Sequence, residues 1–194
     1  MLDHFNKQKA DFLSKKDKSR KGCIDKDAIK IVKELNSKMD YYTTSSCAGR
    51  IVLLEIKSKR KNECNWIFTK HNKINFNEIK SALEKYQKNN KKIKNQIWLK
   101  QQPLILHVAC RNLDAAKRLL DAARKIFKHS GILSINEKRT IVEIIGNERI
   151  ETIVAEKNFI CYKIFLKVLV KYANRNFEEN KRKSERFLEL IKKL

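Results

Sequence analysis

Apolar residues recur at helical spacing in two stretches of this chain, which predicts two amphipathic helices. In RNLDAAKRLLDAARKIF one helix face would carry Leu113, Ala116, Leu119, Leu120 and Ala123. In DAIKIVKELNSK the apolar positions are Ile29, Val32 and Leu35, and Asp25 is placed to cap the first turn.

Weaker helical patterns occur in three other segments. A short first helix is predicted in DHFNKQKADFLSKK, and a middle helix in FNEIKSALEKYQK with Asn75 or Asn77 as its cap. The end of the chain, from about Tyr162 to Leu194, is predicted to form two helices or one long kinked helix.

Continuous or alternating apolar runs predict strands in RIVLLEIKSK, NECNWIFTK, QIWLKQ, PLILHVAC, RTIVEIIG and ETIVAE. Pro103 stands at a strand start, where its missing N–H is harmless. The stretch YYTTSSCAG has no apolar period and is predicted to be a loop. The mixture favours an α+β fold with mixed α/β layers: paired strands, packed helices and a C-terminal helical segment in a single domain over residues 1–194. The likeness of SSCAGRIVLLEI to HSGILSINEKRTIVEII suggests an internal pseudo-repeat.

Composition adds a strong positive charge to this picture. A hydrophobic fraction of 42% supports a real core, while 45 Lys and Arg against 22 Asp and Glu give a net charge of +23. The excess favours a polyanionic partner, with nucleic acid first and an anionic membrane surface second. A compositional bias towards Lys, Ile and Asn also raises the lysine count, so charge alone does not decide. No apolar run approaches the roughly 18 residues of a membrane helix and no signal peptide is visible, so a cytoplasmic protein is expected.

Several site types are disfavoured by missing motifs. The five cysteines are widely spaced without a CxxC pair, which argues against a zinc ribbon or a disulfide framework and predicts reduced thiols. Neither GxGxxG nor GxxxxGK[ST] occurs, so a non-Rossmann fold without a P-loop is expected. The histidines and carboxylates form no metal-ligand pattern, and no metal site is predicted.

A basic surface is predicted from a stretch without acids. Between Lys85 and Leu113 there are seven Lys or Arg and no Asp or Glu, and the stretch carries Tyr86 and Trp98. KSKRK and KRKSER add basic runs. Lysines bind phosphates and exposed aromatics stack on unpaired bases, so an RNA-binding face is favoured over a merely solvated one.

Serine–glycine loops supply the candidate ligand site. DKSRKG, SSCAGR and KHSG each combine serine, a basic residue and glycine. Such loops are also ordinary turns, but the run of hydroxyls before Arg50 favours a ligand. Because side chains alternate along a strand, His107 points the same way as Ile105 and Ala109 and opposite to Leu106, Val108 and Cys110. It is either a histidine at the edge of the core or a hydrogen-bonding group in a pocket, and the pocket is favoured. Cys47 is either a nucleophile or a small buried residue.

A family resemblance rests on motifs in a fixed order: DKSRKGCID, YYTTSSCAGRI, Trp66, PLILHVACRNLDAAKRLL, HSGI and a late Ala173–Asn174 pair. From about Phe5 to Leu194 the chain resembles the tRNA wybutosine-synthesizing protein 3 family of archaeal and eukaryotic tRNA methyltransferases. It departs from the family pattern at Arg20, where proline is usual, and at Ala48, where a second serine is usual. No essential role is therefore assigned to position 48.

The resemblance implies an S-adenosylmethionine-dependent enzyme of wybutosine biosynthesis. It would methylate N4 of 7-(3-amino-3-carboxypropyl)-4-demethylwyosine at position 37 of phenylalanine tRNA, in the anticodon loop. A monomer with no membrane or DNA partner is expected. Two alternatives stay open: a non-catalytic basic RNA-binding protein, and an S-adenosylmethionine-dependent RNA methyltransferase with another target base.

Site roles follow from the same resemblance. Asp17 and Asp25 are the candidate proton acceptors. The cofactor would be bound by Ser45, Ser46, Cys47, Gly49, Arg50, His107, Ser130 and Gly131. The RNA or substrate base would be bound by Lys18, Ser19, Lys21, Gly22, Trp66 and Arg111. An exchange of the cofactor and RNA roles between the DKSRKG and SSCAGR loops stays open.

Overall fold

The computed structural model describes residues 3–14, 25–57, 64–90, 93–157 and 159–194, which form five helices and nine strands. The helices are α1 (His4–Leu13), α2 (Lys26–Ser37), α3 (Phe76–Asn90), α4 (Leu113–Arg124) and α5 (Lys163–Ile191). The strands are β1 (Tyr41–Cys47), β2 (Arg50–Ile56), β3 (Cys64–Lys70), β4 (Gln96–Gln102), β5 (Ile105–Cys110), β6 (Gly131–Asn136), β7 (Arg139–Ile145), β8 (Ile150–Glu156) and β9 (Phe159–Ile160). All described strand pairs are antiparallel. The α+β prediction is confirmed, and the internal pseudo-repeat is not.

The chain divides into two compact units, so the single-domain reading stays a prediction. Unit 1 holds residues 1–48, 104–147 and 180–194, and its sheet has the order β1-β5-β7-β6. One face of this sheet packs on α2, α4 and the end of α5 through residues such as Leu106 and Val142. On the other face, α1 covers Tyr42 with Phe5 and Phe12. α1 covers only the part of this second face around Tyr42.

Unit 2 holds residues 49–103 and 148–179, with a sheet in the order β3-β2-β4-β8-β9. α3 and the first part of α5 pack on this sheet around a buried apolar core. The Asn174 side chain pairs with both backbone groups of Ile74, at 2.9 Å and 2.7 Å, which fixes the segment before α3. Asn75 and Glu78 then cap each other's backbone N–H at the start of α3, in the manner of a capping box. This confirms Asn75, one of the two predicted caps.

Several element predictions were wrong. YYTTSSC is not a loop but β1, which pairs with β5 along its length. β6 and β9 were not predicted. The closing segment is one helix, α5, which agrees with the single-helix alternative and not with two helices. Leu113 is exposed at the first position of α4, where it cannot reach the core. In α2 the buried face includes Ile31, while Ile29 is only partly buried.

No disulfide bond joins the described cysteines Cys47, Cys64, Cys110 and Cys161 to one another, and the reduced state of all five thiols stays a prediction. Cys110 is buried, and burial raises the pKa of its thiol to about 12. Across the described part of the chain, no helix combines the length and the apolar character needed to cross a membrane.

Candidate functional site

A row of polar positions crosses the sheet of unit 1 from strand to strand. In the strand register Ser45 of β1 lies opposite His107 of β5, His107 opposite Glu143 of β7, and Glu143 opposite Gly131 of β6. Residues directly opposite one another on neighbouring strands share a face. This is the face away from the buried core residue Leu106, as parity predicted for His107. Ser45, His107 and Gly131, which come from separate sequence motifs, are thereby brought into one row with Glu143.

Two hydrogen bonds join the side chains of this row. Ser45 Oγ lies 2.9 Å from His107 Nδ1, and His107 Nε2 lies 2.9 Å from Glu143 Oε2. A carboxylate only accepts, so Nε2 carries a proton, and in the neutral imidazole Nδ1 then accepts the hydroxyl proton of Ser45. The Thr44 hydroxyl also donates to the backbone oxygen of His107, at 3.2 Å. We call Ser45, His107 and Glu143 the polar row.

The polar row can accept a proton from a bound molecule. The neutral imidazole takes the Ser45 proton as the serine oxygen takes another, and the carboxylate stabilises the resulting imidazolium. His107 and Glu143 expose 28% and 31% of their side chains, and Ser45 is exposed. A ligand can therefore reach the serine oxygen. Sequence reasoning missed Glu143, although its place between buried Val142 and Ile144 marked it as pointing away from the core.

The exit of β1 is fixed by buried side chains. Asp25 stands at the N-cap position of α2, but its carboxylate accepts instead from the backbone N–H of Ala48, at 3.0 Å. The Ala48 side chain packs on Ala28 and Val32, so a methyl group fits where the family usually has a hydroxyl. Asp25 thus has a structural contact, and its role as a proton acceptor stays a prediction.

Asn180 of α5 is a further clamp that sequence reasoning missed. Its side chain donates to the Ala48 oxygen and accepts from the Leu104 N–H, both at 2.8 Å. It is buried, with 2% of its surface exposed. Its spacing to Ser184 and Phe187, which are buried on the same face of α5, is the sequence feature that could have indicated a buried asparagine. The clamp ties the end of β1 to the start of β5, next to the polar row.

Arg50 and Trp66 lie together in unit 2. The Arg50 guanidinium lies 4.7 Å from the centre of the Trp66 ring, and its Nε donates to Gln102 at 2.6 Å. Arg50 therefore covers one face of the ring, which leaves only the other face for stacking. Gly49, just before Arg50, has a φ of 100°, in the region where glycine is strongly preferred. The cofactor roles of Gly49 and Arg50 and the base-binding role of Trp66 stay predictions.

Arg111 is held by α1 and by the turn before β1. It donates to Asp40 at 2.9 Å and to Asn6 at 2.8 Å, forms an ion pair with Asp3, and lies over the Phe5 ring. This set of contacts explains its presence without a ligand, and its RNA-binding role stays a prediction.

Ser130, which precedes β6, is buried to 2% exposure. Its backbone oxygen accepts from Arg124, but its hydroxyl has no hydrogen-bond partner within the part of the chain that the structure describes. A side chain at Gly131 would meet nothing within 4 Å. The space above Gly131, next to Glu143 in the sheet, is therefore unfilled, and the buried Ser130 hydroxyl precedes it in the chain. Ser46 and Cys47, at the end of β1, are partly buried.

The remaining predicted site residues have no structural test. Asp17, Lys18, Ser19, Lys21 and Gly22 lie outside the described residues.

The aromatic residues of the predicted basic surface do not both reach solvent. Tyr86 is buried and packs in the core of unit 2, so it cannot stack on a base. Burial and a hydrogen bond with Glu55 raise the pKa of its hydroxyl. Trp98 is partly buried, donates to Gln96 and lies under Lys100.

Comparison with known proteins gives consistent matches over nearly the whole chain. The family model "Methyltransferase TYW3" matches residues 6–193. A Mus musculus relative, "tRNA wybutosine-synthesizing protein 3 homolog", is 35% identical over 94% of this chain and 71% of its own length. A Pyrococcus abyssi relative is named "tRNA(Phe) 7-((3-amino-3-carboxypropyl)-4-demethylwyosine(37)-N(4))-methyltransferase 1". It is 34% identical, over 90% of this chain and 89% of its own.

The fold also matches a solved structure. The PH1069 protein from Pyrococcus horikoshii superposes with a TM-score of 0.85 at 32% sequence identity. The match covers 97% of this chain and 96% of that one.

Proposed function

This chain belongs to the methyltransferase TYW3 family, and from that membership we propose that it is an S-adenosylmethionine-dependent tRNA methyltransferase of wybutosine biosynthesis. Its substrate is 7-(3-amino-3-carboxypropyl)-4-demethylwyosine at position 37 of phenylalanine tRNA, the base in the name of the Pyrococcus relative. The product carries the methyl group on N4. The family match and the name of the Pyrococcus relative both support this reaction.

The residues of unit 1 suit the proposed cofactor. S-adenosylmethionine supplies a methyl group attached to a positively charged sulfur. Its ribose hydroxyls and its amino-acid end need neutral donors and acceptors, and the exposed Ser45 hydroxyl on the open sheet face provides one. The unpartnered buried hydroxyl of Ser130 and the open space at Gly131 are the observations that favour a ligand here.

The polar row gives the proposed enzyme its proton acceptor. A nitrogen that lacks its methyl group carries a proton and loses it on methylation. That proton passes to Ser45 Oγ while the hydroxyl proton of Ser45 passes to His107 Nδ1, so each oxygen and nitrogen keeps a normal valence. The imidazolium formed is held by Glu143. The 2.9 Å hydrogen bonds of this row are the single observation that carries the mechanism.

A non-catalytic RNA-binding protein is the second candidate. The net charge of +23 favours RNA equally in both cases. Such a protein, however, has no use for a serine oriented by a histidine and a carboxylate on an exposed sheet face.

Calorimetric titration of S-adenosylmethionine into the purified chain tests the proposal. The Ser45→Ala variant should bind about tenfold more weakly, because it loses one hydrogen bond to a charged ligand. Ser134→Ala, an exposed serine on the same sheet, is the matched control and should bind as the wild type does. If the wild-type chain binds no cofactor at high concentration, with or without tRNA, the proposal of an S-adenosylmethionine-dependent enzyme is refuted.

A further inference from the structure

An unusually apolar exposed face covers β9 and the first half of α5, all within unit 2. Its exposed large residues are Phe159, Ile160, Tyr162, Ile164, Phe165, Val168 and Tyr172. Tyr162 and Ile164 are 84% and 78% exposed. The opposite side of α5 packs in the unit 2 core through Leu166 and Val170. The helix therefore already has a buried apolar side, and the exposed apolar residues are additional to it. Contiguous exposed apolar patches of this kind mark interaction sites.

The same segment is strongly basic. From Lys157 to Phe177 there are five Lys or Arg and no Asp or Glu. Four of them recur every four residues along α5: Lys163, Lys167, Lys171 and Arg175. Residues four apart stand above one another on a helix, so they form a basic row.

The basic row runs beside an apolar row. Ile164, Val168 and Tyr172 are each one position later in the chain and form the next row around the helix, with Phe165 at its side. The cations of Lys163 and Lys167 are 5.9 Å and 5.6 Å from the ring centre of Phe76 in α3. We call these two rows, together with β9 and Tyr162, the α5 face.

We propose that the α5 face binds unpaired nucleotides of the tRNA substrate, an inference that rests on the proposed function. A single strand presents phosphates along one edge and base faces along the other. The basic row matches the phosphates, and the aromatic side chains Phe165 and Tyr172 offer rings for the bases to stack on. Grooves that bind single strands combine these two features.

Two other occupants fit the face less well. In a symmetric contact with a second copy the four cations of the row would meet the same four cations, which opposes association. A helix lying in a membrane interface needs a polar side opposite its apolar side. In α5 the opposite side is the core of unit 2, and the cations lie beside the apolar row instead.

Binding of a phenylalanine tRNA transcript, followed by fluorescence anisotropy across a series of salt concentrations, tests the proposal. The first variant is Phe165→Ala with Tyr172→Ala, and the second is Lys171→Ser with Arg175→Ser. The charge-matched control is Lys117→Ser with Lys125→Ser, at exposed positions of α4 and its C-cap. All changes are at exposed positions, and thermal melting followed by circular dichroism verifies that each variant is folded.

The two variants should differ in a specific way. The aromatic variant should bind about tenfold more weakly for each base that no longer stacks, with an unchanged salt dependence. The charge variant should also bind more weakly, and the slope of log affinity against log salt should become shallower by about 0.7 for each phosphate that is no longer neutralised. The α4 control should alter the slope less than the charge variant does.

Three results would overturn the proposal. The first is tRNA affinity within twofold of wild type in both variants. The second is loss of binding to phosphatidylserine vesicles, in a sedimentation assay, with tRNA binding retained. The third is a change of sedimentation coefficient in the variants without any change in tRNA affinity.

The same data separate this inference from the proposed function. If the wild-type chain binds no S-adenosylmethionine but both variants lose tRNA affinity, the enzyme fails and the RNA surface stands. If the wild-type chain methylates tRNA and the variants bind tRNA normally, the surface fails and the enzyme stands.

Discussion

Changing Glu143 to glutamine should slow methyl transfer without weakening the binding of either substrate. In the wild-type chain the carboxylate can only accept, so His107 Nε2 carries a proton, and in the neutral imidazole this leaves Nδ1 for the Ser45 hydroxyl. A glutamine amide both donates and accepts, so it no longer determines which nitrogen carries the proton. It also carries no charge to stabilise the imidazolium that forms when the row takes up a proton.

The size of the effect follows from what the row does. A positioned general base contributes about 10²- to 10⁴-fold to a rate, and His107→Ala should lose most of that factor. Glu143→Gln keeps the imidazole and loses only its orientation and charge partner, so a reduction of about 10- to 100-fold is expected. Both hydrogen bonds are 2.9 Å long and in the ordinary range, so the replacement should not disturb the sheet.

A single-turnover assay isolates the step. Radiolabelled S-adenosylmethionine and phenylalanine tRNA bearing the demethylated base are mixed with excess enzyme, and label in the tRNA is counted over time. Glu137→Gln, the same chemical change on the β6–β7 turn, is the matched control and should react at the wild-type rate. Added imidazole should restore part of the rate of His107→Ala.

The reasoning is refuted by a specific result. If Glu143→Gln and His107→Ala both transfer methyl within twofold of the wild-type rate, the polar row does not accept the proton. If instead both variants lose affinity for the cofactor at an unchanged rate constant, the row binds the cofactor and the proton goes elsewhere.

Four further predictions concern the stability and the thiol reactivity of the folded chain. Asn180→Ala should lower the free energy of unfolding by about 2–4 kcal/mol in urea denaturation, because two buried backbone groups lose their partner. Asn75→Ala should cost about 1 kcal/mol in the same measurement, since it removes the cap of α3. The hydrogen bond from Lys70 holds the pKa of Glu78 below its ordinary value of 4.5, so this stabilisation is present above that value and is lost as the pH falls through the lowered one. Melting temperatures between pH 6 and pH 3 should therefore fall less steeply for Glu78→Gln than for the wild type. Because burial raises its thiol pKa to about 12, Cys110 should resist iodoacetamide at pH 8 until the chain is unfolded, as mass spectrometry of labelled peptides would show.

The sequence predicted the elements whose own pattern faces a core. α4 shows this well, because its alternation of small and large apolar residues with charged ones has a single helical period. β1 was missed because only its first residues are buried, while Thr44 to Cys47 carry polar or small side chains. Its strand conformation comes from pairing with β5, which no local pattern in YYTTSSC reveals. Leu113 shows the opposite error, because its apolar side chain predicted a core position but it is exposed at the first turn of α4.

The candidate site was predictable residue by residue but not as a set. Ser45, His107 and Gly131 each belonged to a motif with hydroxyl, imidazole or glycine character. Glu143 belonged to none, because a glutamate alternating with apolar residues in a strand is ordinary on an exposed sheet face. The partners in the row are 62 and 36 residues apart in the chain, so only the strand order β1-β5-β7-β6 joins them.

The polar row also selects a register that the apolar pattern leaves open. A slip of one residue between β5 and β7 would turn every buried side chain outward, so burial forbids it. A slip of two residues keeps Leu106 and Val108 in the core, yet it sets His107 opposite Ile141 or Ile145 instead of Glu143. The imidazole would then lose its carboxylate partner, and a charged group on the sheet face would lose a hydrogen bond. The Ser45–His107–Glu143 hydrogen bonds therefore favour the register in which the proposed proton acceptor is assembled.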